Sequence, residues 1–280
     1  MDAQNWRGER YDEENNSNKG SSYTSKSDEY SEKAWDLYND YKDEEALRYI
    51  NMALDLDEGS SNNWNIKGLI LEGLNRFEES EYCYNRSLQL HRSDVVYDNK
   101  ARTLLRWSAR LLEESKDLEN GMNMLEKARE LIIKAIGTLP GENSEEDLDL
   151  YLSHKDSVDF YIGYERRFQN NLETLKRFDK SELFTITGTK FYEHGINLSP
   201  GLPLKLLKEP DNEFDKDAIA VYAEDKKVGY VANEDYTKYE LTSSASQLQD
   251  KISDIAHGEY LLYLDRYSSI QFYIGRIVKG

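Results

Sequence analysis

Apolar positions recur at a helical spacing up to about residue 178 and at a strand spacing from residue 184 onward. Residues 1–30 precede both regimes and are polar, with Asn15-Asn16-Ser17-Asn18-Lys19-Gly20-Ser21-Ser22 at their centre. Such a stretch buries too little apolar surface to offset its ordering entropy, which predicts a disordered tail. From there to Asp94 the helical pattern repeats at a step of 34 residues: Tyr30 maps to Trp64, Ala34 to Gly68, Leu37 to Leu71, Ala46 to Ser80, Ile50 to Tyr84 and Ala53 to Ser87. Ala128, Ile132, Ala135 and Pro140 reproduce the second half of a third unit. Its first half departs from the pattern and predicts an extended helix over Ala101 to Leu118, with Leu104, Leu105, Trp107, Leu111 and Leu112 as the apolar stripe. Pro140-Gly141-Glu142-Asn143-Ser144 reads as a stop and a restart, Ser144 serving as cap and Asp147 as its acidic first-turn partner. Leu148, Tyr151, Leu152, Val158, Tyr161, Ile162, Phe168, Leu172 and Leu175 then predict one long or once-broken helix that covers the end of the repeats.

Within each unit a bulky residue is followed four later by a small one, and further on small, bulky and small residues are spaced by four and three. Small residues at those positions let paired helices approach closely, and bulky ones fill the gaps. The spacing resembles the tetratricopeptide (TPR) repeat and implies a small helical solenoid. An ordinary helical bundle is the alternative. TPR arrays present exposed residues of their inner helices to extended peptides, which makes Asn63, Asn65, Lys67 and Arg102 the candidate protein-binding residues.

The strand-period region is the more specific one. Phe184-Thr185-Ile186-Thr187 breaks at Gly188 and is followed by the cluster Lys190-Phe191-Tyr192. A second apolar run, Leu202 to Leu207, leads into the turn-rich Glu209-Pro210-Asp211-Asn212-Glu213-Phe214-Asp215. Ala218 to Tyr222 and Lys227 to Val231 are strands either side of Glu224-Asp225-Lys226. Glu234 to Gln249 is expected to contain a helix, with Tyr236, Tyr239, Leu241 and Leu248 as candidates for its buried side, and Gly258 to Leu264 and Ser269 to Val278 predict two closing strands. The E-P-D-N-E-F-D-K-D-A-I-A-V core with its downstream V-G-Y resembles the HIRAN domain, a small barrel related to oligonucleotide-binding folds. That family occurs at the front of certain DNA-repair helicases and in small stand-alone proteins. The expected fold class is therefore α+β multidomain: a disordered tail at 1–30, an all-α TPR-like solenoid at 31–142, a capping or linker helix at 143–180, and an all-β barrel with one or two helices at 181–280.

Composition narrows the function. Net charge is −18, and residues 181–280 hold 11 basic and 16 acidic side chains, which leaves −5 there and −13 before them. Neither part has the basic balance usual in nucleic-acid binders, so a broad electrostatic footprint is not expected, although a small pocket is compatible with it. The lone cysteine, Cys83, excludes an intrachain disulfide and lies in a helical pattern as a small buried residue. The first residues lack the apolar core of a signal peptide, and no run reaches the ~20 apolar residues of a membrane span; a cytoplasmic protein is expected. His91, His154, His194 and His257 are scattered, and phosphate-cradling glycine motifs are absent from the sequence. No catalytic set, metal or cofactor is expected, and the motor of the HIRAN helicases is absent from these residues.

What the HIRAN resemblance implies is a pocket for the free 3′ end of single-stranded DNA. In the family a basic-aromatic-aromatic turn lies beside a Tyr/Phe-Asp pair; by motif these are Lys190, Phe191 and Tyr192, with Phe214 and Asp215. Aromatics stack on bases irrespective of sequence, and a carboxylate accepts from a hydroxyl but repels a terminal phosphate. Lys190 stands where the best-matched members have Arg, and Phe214 where Tyr is common. As alternatives, Phe191, Tyr192 and Phe214 are barrel core and Asp215 caps the turn before Ala218. Two functions follow: a non-enzymatic adaptor whose barrel holds a nucleic-acid end while the repeats hold a protein, or a protein-interaction scaffold whose barrel does not bind DNA.

Overall fold

The structure, a computed structural model, describes residues 25–113, 117–139, 145–192, 197–266 and 270–278. The expected tail up to residue 24, the stop and restart at Pro140 to Ser144 and His194 lie outside the described residues. The chain divides into two compact units, Met1–Gly163 and Tyr164–Gly280.

In the first unit, helices pair in sequence order. Helix α1 (Lys26–Asn39) packs on α2 (Asp43–Leu56), α3 (Ser61–Gly73) on α4 (Phe77–Leu90), and α5 (Asp94–Glu113) on α6 (Leu118–Thr138). Helix α1 begins inside the stretch expected to be disordered. The Ser25 hydroxyl accepts from Asp28 N–H, and the Asp28 carboxylate accepts from Ser25 N–H, a capping box that a polar stretch conceals.

The 34-residue step survives in atomic detail. Tyr41 and Asn75, both at positive φ, end the turn after the first helix of their pairs, and Lys42 and Arg76 N–H donate back to the Leu37 and Leu71 carbonyls. Small residues mark the crossing: a Cβ on Gly68 would lie 2.6 Å from the fully buried Tyr84 ring, and Ser80 Oγ donates to the Gly68 carbonyl at 2.7 Å. Between repeats, Asn99 Nδ2 donates to Asn65 Oδ1 at 3.2 Å and Arg106 pairs with Glu72, each bridge spanning 34 residues. Burial pushes the Cys83 thiol up to about 11, away from the thiolate form.

The third pair corrects the expected Ala101–Leu118 helix. Helix α5 starts at Asp94, in phase with α3, and ends at Glu113. The polar residues of its first half, Asp94, Asp98, Asn99 and Lys100, conceal it in sequence, and two of them find partners on a later helix: Tyr151 Oη donates to Asp94, and His154 Nδ1 lies 2.7 Å from Asp98 Oδ1. Both partners sit on α7 (Glu145–Leu175), which is one unbroken helix. Its Tyr151, Val158 and Ile162 join the core of α5 and α6.

The second unit holds a closed six-stranded antiparallel barrel. Its strands are β1 (Leu183–Thr187), β2 (Pro203–Lys208), β3 (Ile219–Ala223), β4 (Lys226–Val231), β5 (Ile255–Arg266) and β6 (Ile270–Ile277), ordered β1-β4-β3-β2-β5-β6. Alternation sends Phe184, Ile186, Leu204, Leu206, Val221, Val228 and Tyr260 into the interior. Glu224 and Asp225, both at positive φ, form the tight β3–β4 turn. Outside the barrel, Phe168 and Leu175 of α7 pack with Leu183, Leu262, Leu264 and Ile274.

The helix expected within Glu234 to Gln249 is a single turn, α8 (Ala245–Leu248), with Leu248 buried, while Tyr236 lies outside it and is 83% exposed rather than buried. The segment before α8 closes short turns, Thr237 N–H donating to the Glu234 carbonyl and Thr242 N–H to that of Tyr239, and further bonds tie it to β1. Tyr239 N–H donates to Thr185 Oγ1, Thr185 and Thr242 share a bond of 2.8 Å, and Ser243 N–H donates to the Leu183 carbonyl.

Candidate nucleic-acid interface

Gly188, in the left-handed region at φ 75°, turns the chain out of β1 into a short 3-10 turn at Thr189–Phe191. On this turn Lys190 Nζ lies 5.1 Å from the Phe191 ring centre, and Phe191 is 76% exposed. Tyr192 turns back and packs 6.4 Å from Tyr230 of β4. Strand β4 reaches β1 closely at Gly229, where a Cβ would lie 2.4 Å from the Thr187 carbonyl oxygen. This close approach accounts for the glycine of the V-G-Y motif.

Tyr230 belongs to a polar cluster on the outer face of the barrel. Its hydroxyl donates to Glu209 Oε2 at 2.9 Å, Lys227 Nζ donates to Glu209 Oε1 at 2.7 Å and to Tyr230 Oη at 2.9 Å, and Asn212 Nδ2 donates to Glu209 Oε2 at 3.0 Å. Lys227 Nζ also sits 4.6 Å from the Tyr230 ring centre and 5.7 Å from that of Tyr222. Burial alone would raise Glu209, but the bonds from Lys227, Asn212 and Tyr230 outweigh it and hold the carboxyl below its usual range. Burial would lower Lys227, yet its bonds to Glu209 and Tyr230 raise it. The Tyr192 hydroxyl is raised by burial and by its bond with Tyr230.

Asn212 ties this cluster to the turn carrying the other predicted residues. Its Oδ1 accepts from both Phe214 N–H and Asp215 N–H. Asp215 Oδ1 accepts from Asp217 N–H at 2.9 Å and Oδ2 from Asn233 Nδ2 at 3.0 Å, so this carboxylate does shape the turn before Ala218. Phe214 projects from that turn with 96% of its surface exposed. Phe191 and Phe214 are therefore not barrel core, and Tyr192 is only partly covered. Hydrogen bonds and ring packing connect Tyr192 to the backbone of Phe214 and Asp215 through Tyr230 and Asn212, while Lys190 and Phe191 precede Tyr192 on the Thr189–Phe191 turn. Glu209, Lys227 and Asn233 were missed in the sequence because their partners lie on other strands, with no local spacing to mark them.

Residues 181–247 match the HIRAN domain. The match stops before β5 and β6, which close the barrel. Among solved structures, the chain is similar to the Yersinia enterocolitica type III secretion translocator chaperone SycD, at 16% identity over 48% of this chain and 83% of that one, with a TM-score of 0.33. It is also similar to a type III secretion complex chain from Aeromonas hydrophila, at 13% identity over 53% of this chain and 85% of that one, with a TM-score of 0.37. No curated protein matches the chain.

The residues expected to bind a protein are placed differently from their prediction. Asn63 and Asn65 are buried, Asn63 Nδ2 donating to Ser27 Oγ and Asn65 accepting from Asn99, so both serve contacts between helices. Arg102 stands one 34-residue step after Gly68, and beside Leu105, Ile132 and His154 it faces the next helices. Lys67 Nζ lies 5.4 Å from the Trp64 ring centre. The four do not form one exposed peptide-binding row. Small polar side chains at helix-packing positions look like surface residues in a sequence until their partners are known.

Among the described residues, no group of three His, Cys, Asp or Glu could hold a metal ion, and no helix is long and apolar enough to cross a membrane.

Proposed function

We propose that the HIRAN domain binds the free 3′ end of single-stranded DNA, while the helix pairs, read as TPR repeats, bind a protein, making this chain a non-enzymatic adaptor of the cytoplasm. The observation that carries the DNA half is the outward presentation of Phe191 and Phe214 on two turns connected through Tyr192, Tyr230 and Asn212. Large aromatics cost solvation when held in water, and stacking on a base returns ~1–3 kcal/mol each. Asp215 accepts one bond on each oxygen; the remaining lone pairs suit a terminal hydroxyl, and a terminal phosphate meets like charge.

The test is fluorescence anisotropy of the full chain with one short strand ending in a 3′-hydroxyl or a 3′-phosphate. A charge-assisted bond of ~1.5–3 kcal/mol predicts at least about tenfold preference for the hydroxyl. Asp215→Asn keeps an acceptor for the turn but removes the charge, and should level the two ends. Tyr192→Ala should weaken both. Equal affinity of the wild-type chain for both ends would overturn recognition of the end, and no binding of either strand would assign the barrel to the scaffold role instead.

A further inference from the structure

Helix α7 buries one stripe and leaves another open. Tyr151, Val158, Ile162 and Phe168 are buried, while Leu152, Asp156, Phe160, Gly163 and Arg167, three or four residues apart, are exposed on the opposite side. Phe160 keeps 62% of its surface exposed and Leu152 42%, and a Cβ added at Gly163 would meet nothing within 4 Å. A large aromatic therefore stands one turn from a stretch of bare backbone. A second helix comes closest where a side chain is missing, and a neighbouring ring can then fill the gap. The charges of the stripe are divided as well. Asp156 precedes Phe160, and Arg167 follows Gly163 with its guanidinium 5.7 Å from the Tyr164 ring centre. Among the described residues neither Asp156 nor Arg167 has an ion-pair partner. Lys155 and Asp159 beside the stripe are already bonded to each other, and Asp159 also to Arg129.

We infer that this stripe is where two copies of the chain meet, their α7 helices antiparallel about a two-fold axis between Tyr161 and Ile162. The stripe is complementary to its own reverse. Turned about that axis, Phe160 lies over Gly163 of the partner subunit, and Gly163 lies under Phe160 of the partner subunit. Asp156 then faces Arg167 of the partner subunit, and the symmetry repeats both contacts, as an isologous interface requires. Ser153 faces Asn170 of the partner subunit, which keeps the outer turns polar. A parallel pair would instead set Asp156 against Asp156 and Phe160 against Phe160, placing like charges together and leaving Gly163 unfilled. A helix of arbitrary sequence would match neither the ring to the gap nor the acid to the base, so the pattern points to a second copy. The pairing does not depend on what the barrel binds, and it makes any ligand of either unit a bivalent one.

The test is sedimentation equilibrium of the full chain. A contact one helix wide and ~30 Å long, from Leu152 to Asn171, is smaller than a permanent interface, so a dimer that dissociates at micromolar concentration is expected. Phe160→Glu, at an exposed position, should keep the helical circular dichroism and leave a monomer at about 100 µM. Asp156→Arg or Arg167→Asp alone sets like charges together twice in each dimer and should weaken association about tenfold. The two reversals combined should restore it, which a change of net charge or of folding would not do. Gly163→Gln should weaken the dimer without loss of helix. A wild-type chain that stays monomeric at about 100 µM would overturn the pairing and leave the stripe to another protein. A dimer that survives Phe160→Glu would overturn this face as the contact. Single reversals that weaken the dimer with no recovery in the double variant would overturn the antiparallel register.

Discussion

Glu209 offers the most direct test of whether the barrel's outer cluster is built as described. Its carboxylate takes three donors, from Lys227, Tyr230 and Asn212, and Asn212 in turn holds the backbone beneath Phe214 and Asp215. Glu209→Gln preserves size, leaves Lys227 without its counter-charge and turns an amide N–H₂ toward one of the donors. Lys227 and Glu209 are only 22% and 23% exposed, so solvent screens the pair incompletely. One charged bond lost and one donor stranded cost about 2–3 kcal/mol, or roughly 6–15 °C in the melting temperature of a unit this size. The effect must also depend on pH. The Glu209 carboxyl is held below its usual value of 4.5, so its contribution is fully present above that value and is lost as pH falls through the folded-state value. Melting of the full chain, followed by tyrosine near-UV circular dichroism, should therefore separate wild type from Glu209→Gln at pH 7, and the gap should narrow steadily below about pH 4.5. The variant should also bind the 3′-hydroxyl strand more weakly, since the turn under Phe214 loosens. A gap of less than about 2 °C at pH 7, or one unchanged in acid, would refute the assignment.

Two further outcomes are expected. Gly229→Ala drives a methyl to 2.4 Å from the Thr187 carbonyl and should destabilise the barrel by about 3 kcal/mol or more, whereas Gly163→Ala, on helix α7 with nothing within 4 Å, should stabilise by about 0.5–1 kcal/mol; chemical denaturation of both variants checks the pair. Phe214→Ala, at a side chain 96% exposed, should leave the melting temperature within the range of a surface change and weaken single-stranded DNA by about 5- to 150-fold, a combination that a core phenylalanine would reverse.

Local chemistry accounts for what was legible in the chain. A helix shows its buried face every third or fourth residue and a strand every second, so the 34-residue step, the pairing at Gly68 and Ala34, and the strands around Val221 and Val228 were visible from the apolar pattern alone. The E-P-D-N-E-F-D and V-G-Y motifs were legible for the same reason, each being a turn or a close approach specified by neighbouring residues. Boundaries failed where distant partners satisfied polar groups. Asp94 and Asp98 of α5 find Tyr151 and His154 on α7, and the segment before α8 forms short turns tied to Thr185 and Leu183 of β1. Asn63 and Asn65 looked like surface and are interior, because each finds an amide or hydroxyl partner tens of residues away. The cluster of Glu209, Lys227 and Tyr230 comes together only when β2, β3 and β4 pair. Register places residues from different strands on one face with no regular separation along the chain, and it forms only when the barrel closes, so only the tertiary structure decided which side chains stand together.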